Sequence, residues 1–170
     1  MNPFQKFALL LSAAFFLTGC DTVGPSHPRG AKASILISLH EQRAYLRIGK
    51  AVISEASIST GREGHATPVG NFHVIRKDIN HRSGLYGDYV DAAGRIVKAN
   101  VDARKDSRPP GSHYLGASMP YFIEFRPGFG LHEGHRPGYP ASHGCVRLSH
   151  WKARQFFDAS KIGTPVTVRQ

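Results

Sequence analysis

The chain has 170 residues, a formal net charge of +10, 41% hydrophobic and 10% aromatic residues. That is enough chain and apolar content for one domain of ordinary size, and it excludes a disordered or fibrous protein. No run of five or six consecutive Lys/Arg accompanies the charge, so a basic nucleic-acid arm is unsupported; a merely soluble surface or attraction of an acidic polymer remains.

Residues 1–19 read as an export signal. Lys6 gives the positive start, and Phe7 to Leu17 is an apolar run of signal-peptide length, too short for a membrane span. Leu17-Thr18-Gly19-Cys20 resembles the bacterial lipobox. That resemblance implies cleavage before Cys20 and acylation of its thiol and new amino group. Two or more acyl chains anchor stably where one is marginal. Asp21 resembles an inner-membrane retention signal. Residues 20–33 are the lipidated cysteine and a Pro/Gly-bearing tether. The twelve residues 21–32 reach at most about 40 Å, so the domain stays near its membrane.

Residues 34–170 form the single predicted domain. Ile35, Ile37 and Leu39 alternate with polar or outward residues, and 44–48 and 52–58 follow across the Gly49-Lys50 turn. This predicts an antiparallel meander of three strands. Residues 59–70 are a Gly/Pro loop, and 72–76 resume a strand. Residues 78–118 are less regular, with a hairpin at Tyr89-Val90 and Ile96-Val97 around Asp91 to Gly94. Residues 105–112 are a polar, Pro-rich loop placed to overhang a site. Residues 121–125 are a strand, 126–128 a turn, and 129–132 a short strand carrying His132. Ser149 is the expected N-cap of a helix from His150 to about Ser160, with Ala153, Phe156 and Phe157 on its apolar face and Gly163 just past its end. Val166 and Val168 mark a last strand. The 18 Gly and 11 Pro fit many turns, so the expected class is mainly β with one substantial helix near the C-terminus.

Chemistry concentrates between Leu131 and Leu148, L-H-E-G-H-R-P-G-Y-P-A-S-H-G-C-V-R-L. If Cys20 carries lipid, Cys145 is a lone thiol, either inert or kept for its reactivity. A neighbouring imidazole can take its proton and return it to a leaving amine. His143 shares a face with Cys145 if the chain is extended. His132 is placed to face it across the sheet, and His135 lies in the loop between. Gly144 permits close backbone approach, and the Cys145 N–H can stabilise an oxyanion. Zinc is a rival, since His132, His135, His143 and Cys145 are of ligand type. Their steps fit no common ligand spacing, so no metal and no other cofactor is expected. Arg62 and His65 read as solvated surface. Tyr86, Tyr114 and His113 read as half-buried packing, and Trp151 as core or edge packing.

Ser142-His143-Gly144-Cys145-Val146-Arg147, with His132 upstream, resembles the signature of the L,D-transpeptidase catalytic domain, the YkuD-type family. Met119-Pro120-Tyr121-Phe122, Ser59-Thr60-Gly61 and the segment Thr67 to Phe72 resemble the same family. The resemblance implies a β-sandwich-like fold. It implies that Cys145 attacks the carbonyl between the third residue of a peptidoglycan stem tetrapeptide and its terminal D-Ala. His132 would act as general base and acid, and a thioester would pass to an amine acceptor. His143 and Gly144 would support the oxyanion region, with Ser142 and Arg147 at the substrate. The sequence departs from the usual pattern in two ways. Only nine residues (133–141) separate His132 from Ser142, and Glu133 stands where many members have Gly. The short gap keeps His135 as an alternative base. The expected partners are peptidoglycan stem peptides and, through the lipid on Cys20, the periplasmic face of a bacterial membrane. Hydrolysis of the same bond, as an L,D-carboxypeptidase or amidase, and non-catalytic wall binding are the alternatives.

Overall fold

A computed structural model describes residues 32–170. The predicted export signal and Cys20 lie outside the described residues. The expected meander is β1 (Ala33–Ser38), β2 (Arg43–Ile48) and β3 (Ala51–Ser57), with β1 beginning one residue before the predicted domain boundary. Ile35 and Ile37 of β1 and Ala44 and Leu46 of β2 turn inward by the two-residue period and are buried.

The predicted strand over 72–76 is two strands in two sheets. β4 (Gly70–His73) pairs with the C-terminal strand, whereas β5 (Arg76–Asp78) joins another sheet. Val74 and Ile75 make the passage. The Val74 N–H bonds the Thr164 carbonyl at 2.8 Å and the Ile75 N–H bonds the Glu124 carbonyl at 2.8 Å. Continuous β character in sequence conceals such a change of partner, because strand propensity does not encode which neighbour is used.

The stretch taken as irregular is a third sheet. β6 (Arg82–Val90) pairs on one side with β7 (Ile96–Asp102), around the expected Asp91 to Gly94 turn, and on the other with β8 (His113–Ser118). Next come β9 (Phe122–Arg126), β10 (Phe129–Glu133) and β11 (Val146–Leu148). Then follow the helix α1 (His150–Ala159) and β12 (Pro165–Arg169). The sheet orders are β3-β2-β1-β12-β4, β11-β10-β9-β5 and β7-β6-β8. The first two close on one core that joins Ile35, Leu46, Ile123, Leu131, Val146 and Phe156, the sandwich-like layering expected.

Helix α1 seals this core with Ala153 and Phe156. Ser149 stands at its N-cap but makes no side-chain cap bond. At the other end Lys77 of β5 donates from Nζ to the Phe157 and Ser160 carbonyls, both at 2.6 Å, a cation meeting the negative helix terminus. Gly163 is not the helix cap. The chain leaves α1 extended at Ser160, and Gly163 (φ 86) serves the following turn, with its N–H on the Val74 carbonyl. Trp151 is 73% exposed, against the packing expected of it, because the helix turns its opposite side to the core.

Truncating Phe156 to Ala should lower unfolding free energy by about 3–5 kcal/mol. Trp151→Ala should change it by less than about 0.5 kcal/mol. Urea titration followed by circular dichroism measures both.

Candidate active site

Alternation along β9, β10 and β11 sorts their side chains onto two faces. Ile123, Phe125, Leu131, Val146 and Leu148 enter the core. The residues between them, Phe122, Glu124, His132 and Arg147, line a cleft of about 720 Å³ together with Cys145. β10 and β11 run parallel with His132 opposite Arg147, so Cys145, two residues before Arg147, lies diagonally from His132 on that side. The facing wall is β6, from Ser83 to Asp88. Residues 105–112 do not line the cleft, so the predicted overhang is supplied by β6 instead.

His132 is 6% exposed, and its Nδ1 lies 2.6 Å from the carbonyl oxygen of Glu133. A carbonyl only accepts, so Nδ1 carries the proton and the neutral ring keeps its lone pair on Nε2. Burial pushes the imidazole pKa down to about 4, with the Glu133 carbonyl partly opposing. Burial pushes the Cys145 thiol up, opposed by the Gly130 N–H and by Arg147. The S–H faces the Gly128 carbonyl at 3.6 Å. Thiol and imidazole therefore both rest neutral on the same cleft, the imidazole with an open lone pair.

Glu124 holds Gly128 through its N–H. One carboxylate oxygen accepts the Gly128 N–H at 2.9 Å and the other accepts Arg76 Nε at 2.7 Å. Sequence reading missed this group, although a charge between Ile123 and Phe125 in an apolar strand signals a second, polar face. Glu133 is held likewise. Its carboxylate meets His150 Nδ1 at 2.9 Å, tying the carbonyl that orients His132 to the first turn of α1.

The segment before Cys145 is a tight turn. Gly144 has φ 120, and a Cβ there would stand 2.7 Å from the Phe129 ring, so both conformation and space require glycine. Ser142 is buried, donating its hydroxyl to the Cys145 carbonyl at 2.5 Å and accepting the Gly144 N–H at 3.0 Å. Its hydroxyl thus shapes the turn, and the residue also lines the cleft. Thr67 Oγ1 donates to the Gly144 carbonyl at 2.7 Å and accepts the Gly61 N–H at 3.0 Å. The Gly144 N–H is occupied, which leaves the Cys145 N–H as the turn's candidate oxyanion donor.

His143 does not share an extended face with Cys145, because the turn at Gly144 breaks the alternation. Its Nε2 lies 2.9 Å from Arg62 Nη2, and its ring stacks on Tyr86 at 4.0 Å, with His65 edge-on at 4.9 Å. Burial, then the Arg62 charge, lowers its pKa to about 4. Arg62, His65 and Tyr86 therefore belong to the site and not to the bland surface or packing expected of them. For Arg62 and His65 the signal available was nearness to Ser59-Thr60-Gly61; Tyr86 carried none. His135 lies exposed at the cleft rim. Tyr114 packs edge-on against Tyr89 at 6.1 Å, as expected, and neither it nor His113 lines the cleft.

The model of the L,D-transpeptidase catalytic domain, YkuD, matches residues 32–168. The chain belongs to that family. It is 30% identical over 115 residues to Probable L,D-transpeptidase 3 of Mycobacterium tuberculosis, covering 66% of this chain and 37% of the relative. The L,D-transpeptidase domain thus spans little more than a third of that relative's length. In fold it is similar to an L,D-transpeptidase from Mycobacterium smegmatis, with TM-score 0.61 and 19% identity, covering 83% of this chain and 60% of the other. It is also similar to the L,D-transpeptidase of Xylanimonas cellulosilytica, with TM-score 0.59 and 26% identity, covering 84% and 63%.

His132 makes the L,D-transpeptidase domain acid-sensitive. Its pKa falls from 6.5 to about 4 on folding. Between those values the unfolded chain binds the proton and the folded one does not. The contribution is therefore whole above pH 6.5 and is lost by about 3 kcal/mol as pH drops toward 4. Chemical denaturation across that range should show this fall; His132→Gln should remove its share and leave the smaller share of the more exposed His143.

Proposed function

We propose that the protein is an exported, lipid-anchored peptidoglycan L,D-transpeptidase working through a Cys145 acyl-enzyme. The supporting observation is the His132 tautomer, with Nδ1–H held by the Glu133 carbonyl and Nε2 left free in the cleft that holds Cys145. Cys145 attacks the carbonyl between the third residue of a stem tetrapeptide and D-Ala while its proton passes to His132 Nε2. The oxyanion meets the Cys145 N–H. The imidazolium returns the proton to the departing D-Ala nitrogen, leaving a thioester. An amine acceptor then gives its proton to His132 and takes the acyl group, restoring the thiol. His132 is favoured over His135 because it alone of the two is buried and oriented by a hydrogen bond. Arg147 would hold a substrate carboxylate, and His143 supports the turn from the side.

The lipobox at Leu17 to Cys20 supports acylation of Cys20 and residence at the periplasmic face of a membrane, the inner one by Asp21. The basic surface suits an acidic wall polymer.

Incubation with defined tetrapeptide muropeptides, with and without an amine acceptor, should give D-Ala release, a mass adduct on Cys145 and a cross-linked product. Cys145→Ala should lose turnover by about 10³-fold or more. Full activity in that variant would overturn the proposal, and trimmed product alone with acceptor present would make the protein a hydrolase. Cys20→Ala should move the protein from the membrane to the soluble fraction on cell fractionation.

A further inference from the structure

Charge is unevenly compensated around the cleft. Its carboxylates are all engaged: Asp88 accepts the Asn100 N–H at 2.8 Å, Glu124 pairs with Arg76, and Glu133 pairs with His150. Two guanidiniums on the same walls have no carboxylate partner among the described residues, those of Arg62 and Arg147. Arg147 lays its stem across Gly134, where a Cβ would stand 3.0 Å from its Cγ. Its guanidinium makes no hydrogen bond among the described residues.

Arg62 is built into the nucleophile segment. Its N–H donates to the Ser142 carbonyl at 3.1 Å, its own carbonyl accepts the His65 N–H at 2.9 Å, and Gly61 bridges Ser142. His143 Nε2 accepts one Nη2 hydrogen at 2.9 Å. That single side-chain bond orients the planar fork and leaves its other donors open to the cleft. The two arginines repel each other and are half-buried. Half-buried like charges without a counterion stand ready for an anionic ligand, and guanidinium suits carboxylate in bidentate geometry.

We propose that Arg62 and Arg147 form a two-guanidinium subsite for the carboxylates of the acyl donor. In it, Arg62 selects stem peptides whose third residue bears a free side-chain carboxylate. This rests on the acyl-transfer reading above. Arg147 stands beside Cys145, where the carboxylate of the leaving D-Ala falls close to the scissile amide. Arg62 stands beyond His143, within reach of a side chain on the acyl side. His143 is a positioning residue for Arg62: its neutral Nε2 accepts the guanidinium hydrogen.

Two synthetic tetrapeptide donors test this, identical except that the third residue's side-chain carboxylate is free or a carboxamide. Turnover is read as kcat/KM for D-Ala release, and binding as Kd on Cys145→Ala by calorimetry. The unaltered protein should prefer the free acid by about tenfold in both. Arg62→Gln should bring the ratio near one by weakening the acid donor alone, and Arg62→Lys should restore part of it. The carboxamide donor doubles as the control for folding. Equal loss on both donors, or an unchanged ratio, would overturn the subsite. If neither donor turns over while Cys145→Ala still binds the acid with an Arg62-dependent preference, the subsite stands and the transpeptidase reading falls.

Discussion

The bond from His132 Nδ1–H to the Glu133 carbonyl is local, yet it depends on most of the fold. It needs β10 buried between β9 and β11, so that the ring is out of water. It needs Glu133 fixed, which the pair with His150 and the Glu133 N–H on the Pro120 carbonyl at 2.9 Å provide. It also needs Leu131 drawn into the core on one side so that His132 faces the cleft on the other. A two-residue period does this at no extra cost in geometry. The same strands that build the interior present the reactive groups, and a one-residue slip of β10 would exchange them.

The thiol is set by different means. Cys145 precedes β11, and its place comes from a turn closed by Ser142, Gly144 and Thr67. Residues far apart in sequence meet there: the Thr67 loop, the Arg62 backbone and the β9–β10 turn held by Glu124. Rigid strands thus place the imidazole, and a hydrogen-bonded loop places the thiol in the same cleft.

What could be read in the sequence follows this division. The meander, the strand carrying His132, the apolar face of α1 and the inward Val166 and Val168 all declare themselves through periodicity. The division of β4 from β5 does not, since both are extended and only their partners differ. The sheet of β6, β7 and β8 hides because many of its residues are exposed, so it lacks alternation. The place of His143 is not legible, because nothing but the φ of 120 at Gly144 turns it from the face that an extended chain would share with Cys145. Arg62 is an ordinary surface arginine in sequence. Only the bridge between Gly61 and Ser142 brings it to the nucleophile.

The resting state of Cys145 also bears on its chemical durability. Oxidants attack the thiolate far faster than the thiol. A sulfur kept protonated by burial, with its hydrogen toward the Gly128 carbonyl, offers little of the vulnerable form. In the proposed reaction, deprotonation would be confined to the transfer of that proton to His132. Among the described residues Cys145 has no second cysteine to form a disulfide with. The low acidity that would slow an unassisted attack by Cys145 thus also slows its oxidation.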